Sequence, residues 1–260
     1  MEVLNDLRIT LVQPNLFWES PFENREHLNE KLRSLKGNTD LVVLPEMFTT
    51  GFSMNASALA EPMNGETMGW MKEKARELNA AICGSVIIED AEGRYNRLLF
   101  VHPDGAFSSY DKRHLFLIEG EKGVFIPGKE RVIVHFRGWR IGLFICYDLR
   151  FPVWSRNRND SDLALYVANW PASRTQVWQT LLKARAIENQ IYVAGVNRIG
   201  TDGNGIDYCG DSLLVNPRGE VMHRLENKEE MVTETVSMES LQTFRAKFPV
   251  GDDADDFRLL

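Results

Sequence analysis

Cysteine is scarce in this chain: Cys83, Cys146 and Cys209 are the only three in 260 residues. An odd number at wide spacing, with no Cys-x-x-Cys and no Cys/His cluster of zinc-finger spacing, excludes a disulfide scaffold and a structural zinc site. Long hydrophobic runs are also missing. No stretch approaches the roughly 20 apolar residues of a membrane span. The N-terminal MEVLNDLRITLVQP has neither the basic start nor the apolar run of a secretory signal, so the expected compartment is the cytoplasm. Positive charge is not in excess. At a net charge of -7 the chain repels a phosphate backbone, which argues against nucleic acid as a partner. The local basic spot Lys112-Arg113-His114 is at most a site for a small anion. No composition shift marks a linker, so residues 1–260 read as one domain.

What the chain does contain is an alternation of short apolar runs and amphipathic segments. Arg8–Gln13, Leu41–Leu44, Ala81–Ile88, Tyr95–Val101, Ala106–Asp111, Leu163–Ala168, Ile191–Asn197, Tyr208–Val215 and Val232–Val236 read as strands. Arg131–Phe136 and Trp139–Ile145 flank Arg137-Gly138 as a hairpin. Helices are expected over Glu23–Leu35, Met68–Leu78 and Ser173–Gln190, the last capped by Ser173. Many strands are apolar throughout, which predicts α/β layers with helices covering the sheets. The tail 238–260 carries Phe244, Phe248, Phe257 and an acidic run; its aromatics suggest packing, potentially at a subunit interface.

Three residues stand where such strands end. Glu46 follows a buried strand and Pro45, at the sheet edge where α/β sites form. Taken alone, it is equally a surface charge. Lys112 follows another strand, and lysines are usually solvated. Cys146 ends an apolar strand at a turn into a helix. Such an elbow exposes the residue and can lower a thiol pKa. Cys83 suits the core better. As a set the three are coherent: a thiol, a carboxylate to take its proton and a cation for an oxyanion.

LVVLPEMF, YDKRHLF and GLFICYDLRFP, in that order, resemble the glutamate, lysine and cysteine motifs of the nitrilase superfamily of carbon–nitrogen hydrolases. The resemblance runs along nearly the whole chain. It implies a four-layer α-β-β-α sandwich, usually paired as a homodimer or a larger homo-oligomer, with no metal or organic cofactor. It implies Glu46 as general base, Cys146 as nucleophile, and Lys112 with the Tyr147 backbone N–H as oxyanion stabilisers. A second glutamate after the lysine matches Glu121 best, with Glu119 as competitor.

CYDLRFPVWSRN and FRAKFPVGDDADDF are similar to the omega-amidases, which implies a small α-keto acid ω-amide such as 2-oxoglutaramate or 2-oxosuccinamate as substrate. Such a substrate needs a cation for its carboxylate. Arg150 or Arg174 can supply one, against the alternatives of an Arg150–Asp148 salt bridge and a solvated helix charge at Arg174. Phe116, Tyr147 and Trp170 are candidate pocket walls. The rival readings are a hydrolase of N-carbamoyl amino acids or β-ureido acids, a true nitrilase, a non-catalytic binding protein of the same fold and a thiol redox sensor.

Overall fold

A computed structural model describes residues 6–255; the side chain of Glu119 also lies outside the described residues. The first half runs β1 (Leu7–Gln13), α1 (Pro21–Leu32), β2 (Leu41–Val43), α2 (Ala56–Leu59), α3 (Glu66–Leu78), β3 (Ala81–Asp90), β4 (Gly93–Val101), β5 (Phe107–Asp111) and α4 (Glu121–Val124). The second runs β6 (Ile133–Phe136), β7 (Trp139–Ile145), β8 (Leu163–Ala168), α5 (Thr175–Asn189), β9 (Tyr192–Asn197), β10 (Ile199–Thr201), β11 (Asp207–Cys209), β12 (Leu213–Val215), β13 (Val221–Arg224), β14 (Glu230–Val236) and α6 (Met238–Lys247). Two six-stranded sheets result, ordered β14-β1-β2-β3-β4-β5 and β13-β12-β9-β8-β7-β6. The centre of each is parallel, β1–β2–β3 in one and β7–β8–β9 in the other.

Alternation along the strands explains the continuous apolar runs. Ile9, Leu11, Leu41, Val43 and Cys83 face the core shared with the second sheet. Their neighbours Val12, Val42, Leu44 and Ile82 face α1 and α3 instead. Both faces are buried, so both sets are apolar. On the second sheet α5 packs through Trp178 and Leu182. A Cβ at Gly195 would lie 2.4 Å from Leu182 Cδ1, so only glycine lets α5 seat this closely on β9. The layering is that of the expected sandwich: two large sheets flanked by helices. Among the described residues no helix is long and apolar enough to cross a membrane.

Several local expectations need correction. Tyr208–Val215 is not one strand. Its first part joins β10 in a separate two-stranded ribbon, and its last part enters the second sheet. Gly210 at φ 68° and Asp211 at φ 55° turn the chain between them. Ser173 does not cap α5; it lies in a 3-10 turn with no capping bond. Asp211 takes over at that end, accepting from Thr175 Oγ1 at 2.5 Å and Gln179 Nε2 at 2.9 Å. β13 carried no clear signal, because its residues are mostly exposed. The described part of the tail packs on its own chain: Met238 and Leu241 are buried, and Arg245 donates to Asp162 Oδ1 at 2.8 Å. Phe257 lies outside the described residues.

Candidate active site

Three segments, leaving β2 and β5 of the first sheet and β7 of the second, carry the site. Glu46 comes three residues after β2, and the chain turns there with Met47 at φ 44° and its N–H on Ser85 Oγ at 2.9 Å. Lys112 directly follows β5. Cys146 directly follows β7 and opens a short 3-10 helix, Cys146–Arg150. Cys146 itself has φ 42°, a left-handed value for a residue with a Cβ. Such a backbone costs on the order of 1–3 kcal/mol, and surrounding contacts must hold it.

These segments bring Glu46, Lys112 and Glu121 into one buried cluster, none more than 1 % exposed. Lys112 Nζ donates to Glu46 Oε1 at 2.8 Å and to Glu121 Oε2 at 2.8 Å. Glu121, from the first turn of α4, also accepts the Phe116 N–H at 2.6 Å. Of the two candidates for the second glutamate, Glu121 is the one whose side chain is described, and it contacts Lys112. The side chain of Glu119, its competitor, lies outside the described residues.

Two asparagines complete the cluster. Asn96, on β4, accepts from Ser85 Oγ and donates to Glu46 Oε1, each at 2.8 Å. Asn169, just after β8, donates its backbone N–H to Glu46 Oε2 at 2.8 Å. Its side-chain Oδ1 is buried without a partner among the described residues. Neither asparagine was anticipated. Asn96 sits inside a strand, and only the fold brings it opposite a carboxylate from another loop.

The electrostatics correct one expectation. The Cys146 thiol pKa is pushed well up, not down. Burial is the main cause, and the Glu46 carboxylate adds to it against the opposing pull of Lys112. A resting neutral thiol needs a base that takes its proton as it reacts. The Glu121 carboxyl is also raised: burial comes first, Lys112 opposes it and Glu46 adds to it. Burial alone would lower the Lys112 ammonium's pKa, but Glu121 and Glu46 outweigh burial, so Lys112 stays charged.

Cys146 opens into a cavity of about 40 Å³, lined by Phe116, Tyr147, Arg150, Trp170 and Arg174. Phe52, Ile206 and Tyr208 line it too and were not anticipated. Tyr208 reaches it because the chain breaks at Gly210-Asp211. The Arg150–Asp148 salt bridge does not form: Asp148 accepts from Tyr110 and His114 instead. The Arg150 guanidinium lies 5.2 Å from the Trp170 ring centre, and that of Arg174 lies 5.4 Å from Phe116. Among the described residues neither arginine pairs with a carboxylate. The basic spot Lys112-Arg113-His114 presents no anion site, because Lys112 is buried between glutamates, Arg113 donates to the Gly128 carbonyl and His114 turns to Asp148.

Comparison with known proteins fits this geometry. The family model described as carbon–nitrogen hydrolase matches residues 8–246. The chain is 50 % identical to the omega-amidase YafV of Escherichia coli (strain K12), over 97 % of this chain and 98 % of that protein. It is 30 % identical to a 2-oxoglutaramate amidase of Bacillus subtilis (strain 168), over 94 % of this chain and 96 % of that one. The crystal structure of XC1258 from Xanthomonas campestris, a CN-hydrolase superfamily protein with an arsenic adduct in its active site, superposes with a TM-score of 0.98 at 47 % identity, covering 99 % of this chain and 100 % of that one.

Proposed function

The chain belongs to the carbon–nitrogen hydrolase family, and from that premise we propose that it is an omega-amidase acting on small α-keto acid ω-amides such as 2-oxoglutaramate. The observation that carries this reading is a pair of guanidiniums, Arg150 and Arg174, lining the same small cavity as Cys146 with no carboxylate partner among the described residues. An anionic substrate supplies the missing partner.

In this reading the Cys146 thiol attacks the terminal amide carbon while Glu46 takes its proton. The oxyanion forms against Lys112 Nζ and the Tyr147 N–H. Glu46 returns the proton to the amide nitrogen, and the C–N bond breaks to release ammonia. A thioester remains. Glu46 then deprotonates water, which attacks the thioester; the dicarboxylic keto acid leaves and the thiol is restored. Glu121 holds Lys112 in place and assists proton transfer. Phe116, Tyr147 and Trp170 flank the substrate chain. No metal or organic cofactor takes part. One catalytic domain working in the cytoplasm as a homodimer or larger homo-oligomer completes the reading. The cysteines are free thiols, as a reducing compartment favours. Ile187 (54 % exposed) and Phe248 (64 %) leave apolar surface that a second copy would cover.

The purified protein should release ammonia from 2-oxoglutaramate, read by a coupled ammonia assay. Release only from N-carbamoyl amino acids or β-ureido acids would replace the ω-amide assignment. Arg174→Gln and Arg150→Gln separate the two cations. Loss of one charge-assisted carboxylate contact should raise KM about 10- to 100-fold with little change in kcat. Unchanged KM in both variants would remove the arginines from substrate binding.

A further inference from the structure

Asp148 lies two residues after Cys146, is fully buried and faces no cation of its own helix. One of its bonds caps the N-terminus of its own helix, and the others lead to the lysine loop. Oδ1 takes the His114 backbone N–H at 3.1 Å and His114 Nδ1 at 2.7 Å. Oδ2 takes the Tyr110 hydroxyl at 2.7 Å and the Ile145 N–H at 3.0 Å. Tyr110 and His114 flank Lys112 along the chain, while Ile145 and Asp148 flank Cys146. One carboxylate thus ties both sides of the lysine loop, which leaves the first sheet, to both sides of the cysteine elbow, which leaves the second.

The surroundings hold this link rigid. The His114 ring stacks on Phe151, with centres 3.7 Å apart and planes at 6°. Trp154 Nε1 donates to the Tyr110 hydroxyl at 3.0 Å. At the far end of the elbow, Arg185 donates to the Leu149 carbonyl at 2.6 Å. The Arg113 guanidinium lies 5.3 Å from the Trp154 ring.

We propose that Asp148 and His114 are positioning residues: they form a clamp that sets the distance and orientation of Lys112 relative to Cys146 at the oxyanion. Neither touches the substrate. The clamp rests on the amidase reading above, and the two fail separately: a parent enzyme that releases no ammonia removes the reading, whereas the variants below decide the clamp.

Two substitutions split the donor from the stack. His114→Phe keeps a ring on Phe151 but removes the Nδ1 donor. His114→Asn loses the ring but offers an amide N–H near the same place. A clamp predicts that His114→Phe lowers kcat about 10- to 100-fold with KM within about threefold, as a small misplacement of a reacting group does. His114→Asn should keep most of the kcat. Alkylation of Cys146 by iodoacetamide forms no oxyanion, so its rate should change by less than about threefold in either variant. Wild-type kcat in His114→Phe overturns the clamp. So does an equal kcat loss in His114→Asn, and so does a fall in alkylation matching the fall in turnover, because that is general loosening of the elbow. If neither histidine variant folds, Tyr110→Phe carries the same comparison from the other carboxylate oxygen, with the same outcomes deciding.

Discussion

Cys146→Ala is expected to abolish ammonia release, by roughly 10⁴- to 10⁶-fold, as removal of a covalent nucleophile does elsewhere. The expectation is specific to this thiol. Cys83 is fully buried in the core, and burial pushes its pKa up with no acid or base partner beside it. Cys209 lies beside Asp211 in the fold, outside the catalytic cavity. Of the three cysteines only Cys146 faces the cavity that Lys112 also lines, and burial first, then the Glu46 carboxylate, raise its pKa. Cys83→Ala and Cys209→Ala should therefore retain ammonia release. The assay is single-turnover release with mass spectrometry of the protein: the parent enzyme accumulates a thioester adduct and Cys146→Ala does not. Full turnover by Cys146→Ala would end the mechanism.

Lys112→Met should cost both activity and stability. Loss of an oxyanion donor costs about 10²- to 10³-fold in kcat. The stability loss arises because Lys112 is the cation for two carboxylates, Glu46 and Glu121, that are both fully buried. Removing one partner of a buried ion pair costs about 3–5 kcal/mol. The sign of its pH dependence follows. Glu121 already has a raised pKa, from burial first and from Glu46, with Lys112 opposing. Without Lys112 it rises further, so the folded variant holds a proton that the unfolded chain releases. That stability is present at acidic pH and lost as pH rises through the folded pKa. Thermal melts between roughly pH 5.5 and pH 8 should show the gap between variant and parent widening toward higher pH. A parent-like kcat would remove Lys112 from the chemistry, and a gap that narrows with pH would remove the electrostatic account.

Strand and helix periodicity made the layers legible, because Val42 and Val43 must both be buried yet face opposite sides. The ends of those strands marked Glu46, Lys112 and Cys146, since a sheet edge is where the chain can turn and leave a side chain free. Other features had no local signature. Asn96 looks like any strand residue. Tyr208 reads as part of a longer strand until Asp211 is seen turning the chain to reach Thr175 and Arg224. Asp148 invites a bond to Arg150, its neighbour on the elbow, but its side-chain partners, Tyr110 and His114, come from the lysine loop of the other sheet.

From the sequence alone came the layered architecture, the three candidate reactive groups and their chemical sort. These depend on local pattern and residue type, which a linear chain carries in full. Only the tertiary structure decided that the cluster holds two glutamates for one lysine, that burial raises the Cys146 pKa and that both arginines line its cavity without a carboxylate partner among the described residues. Each of these depends on desolvation and on distances between segments far apart in the chain. Burial and Coulomb interactions act through space, so they become readable only once the two sheets have closed on each other.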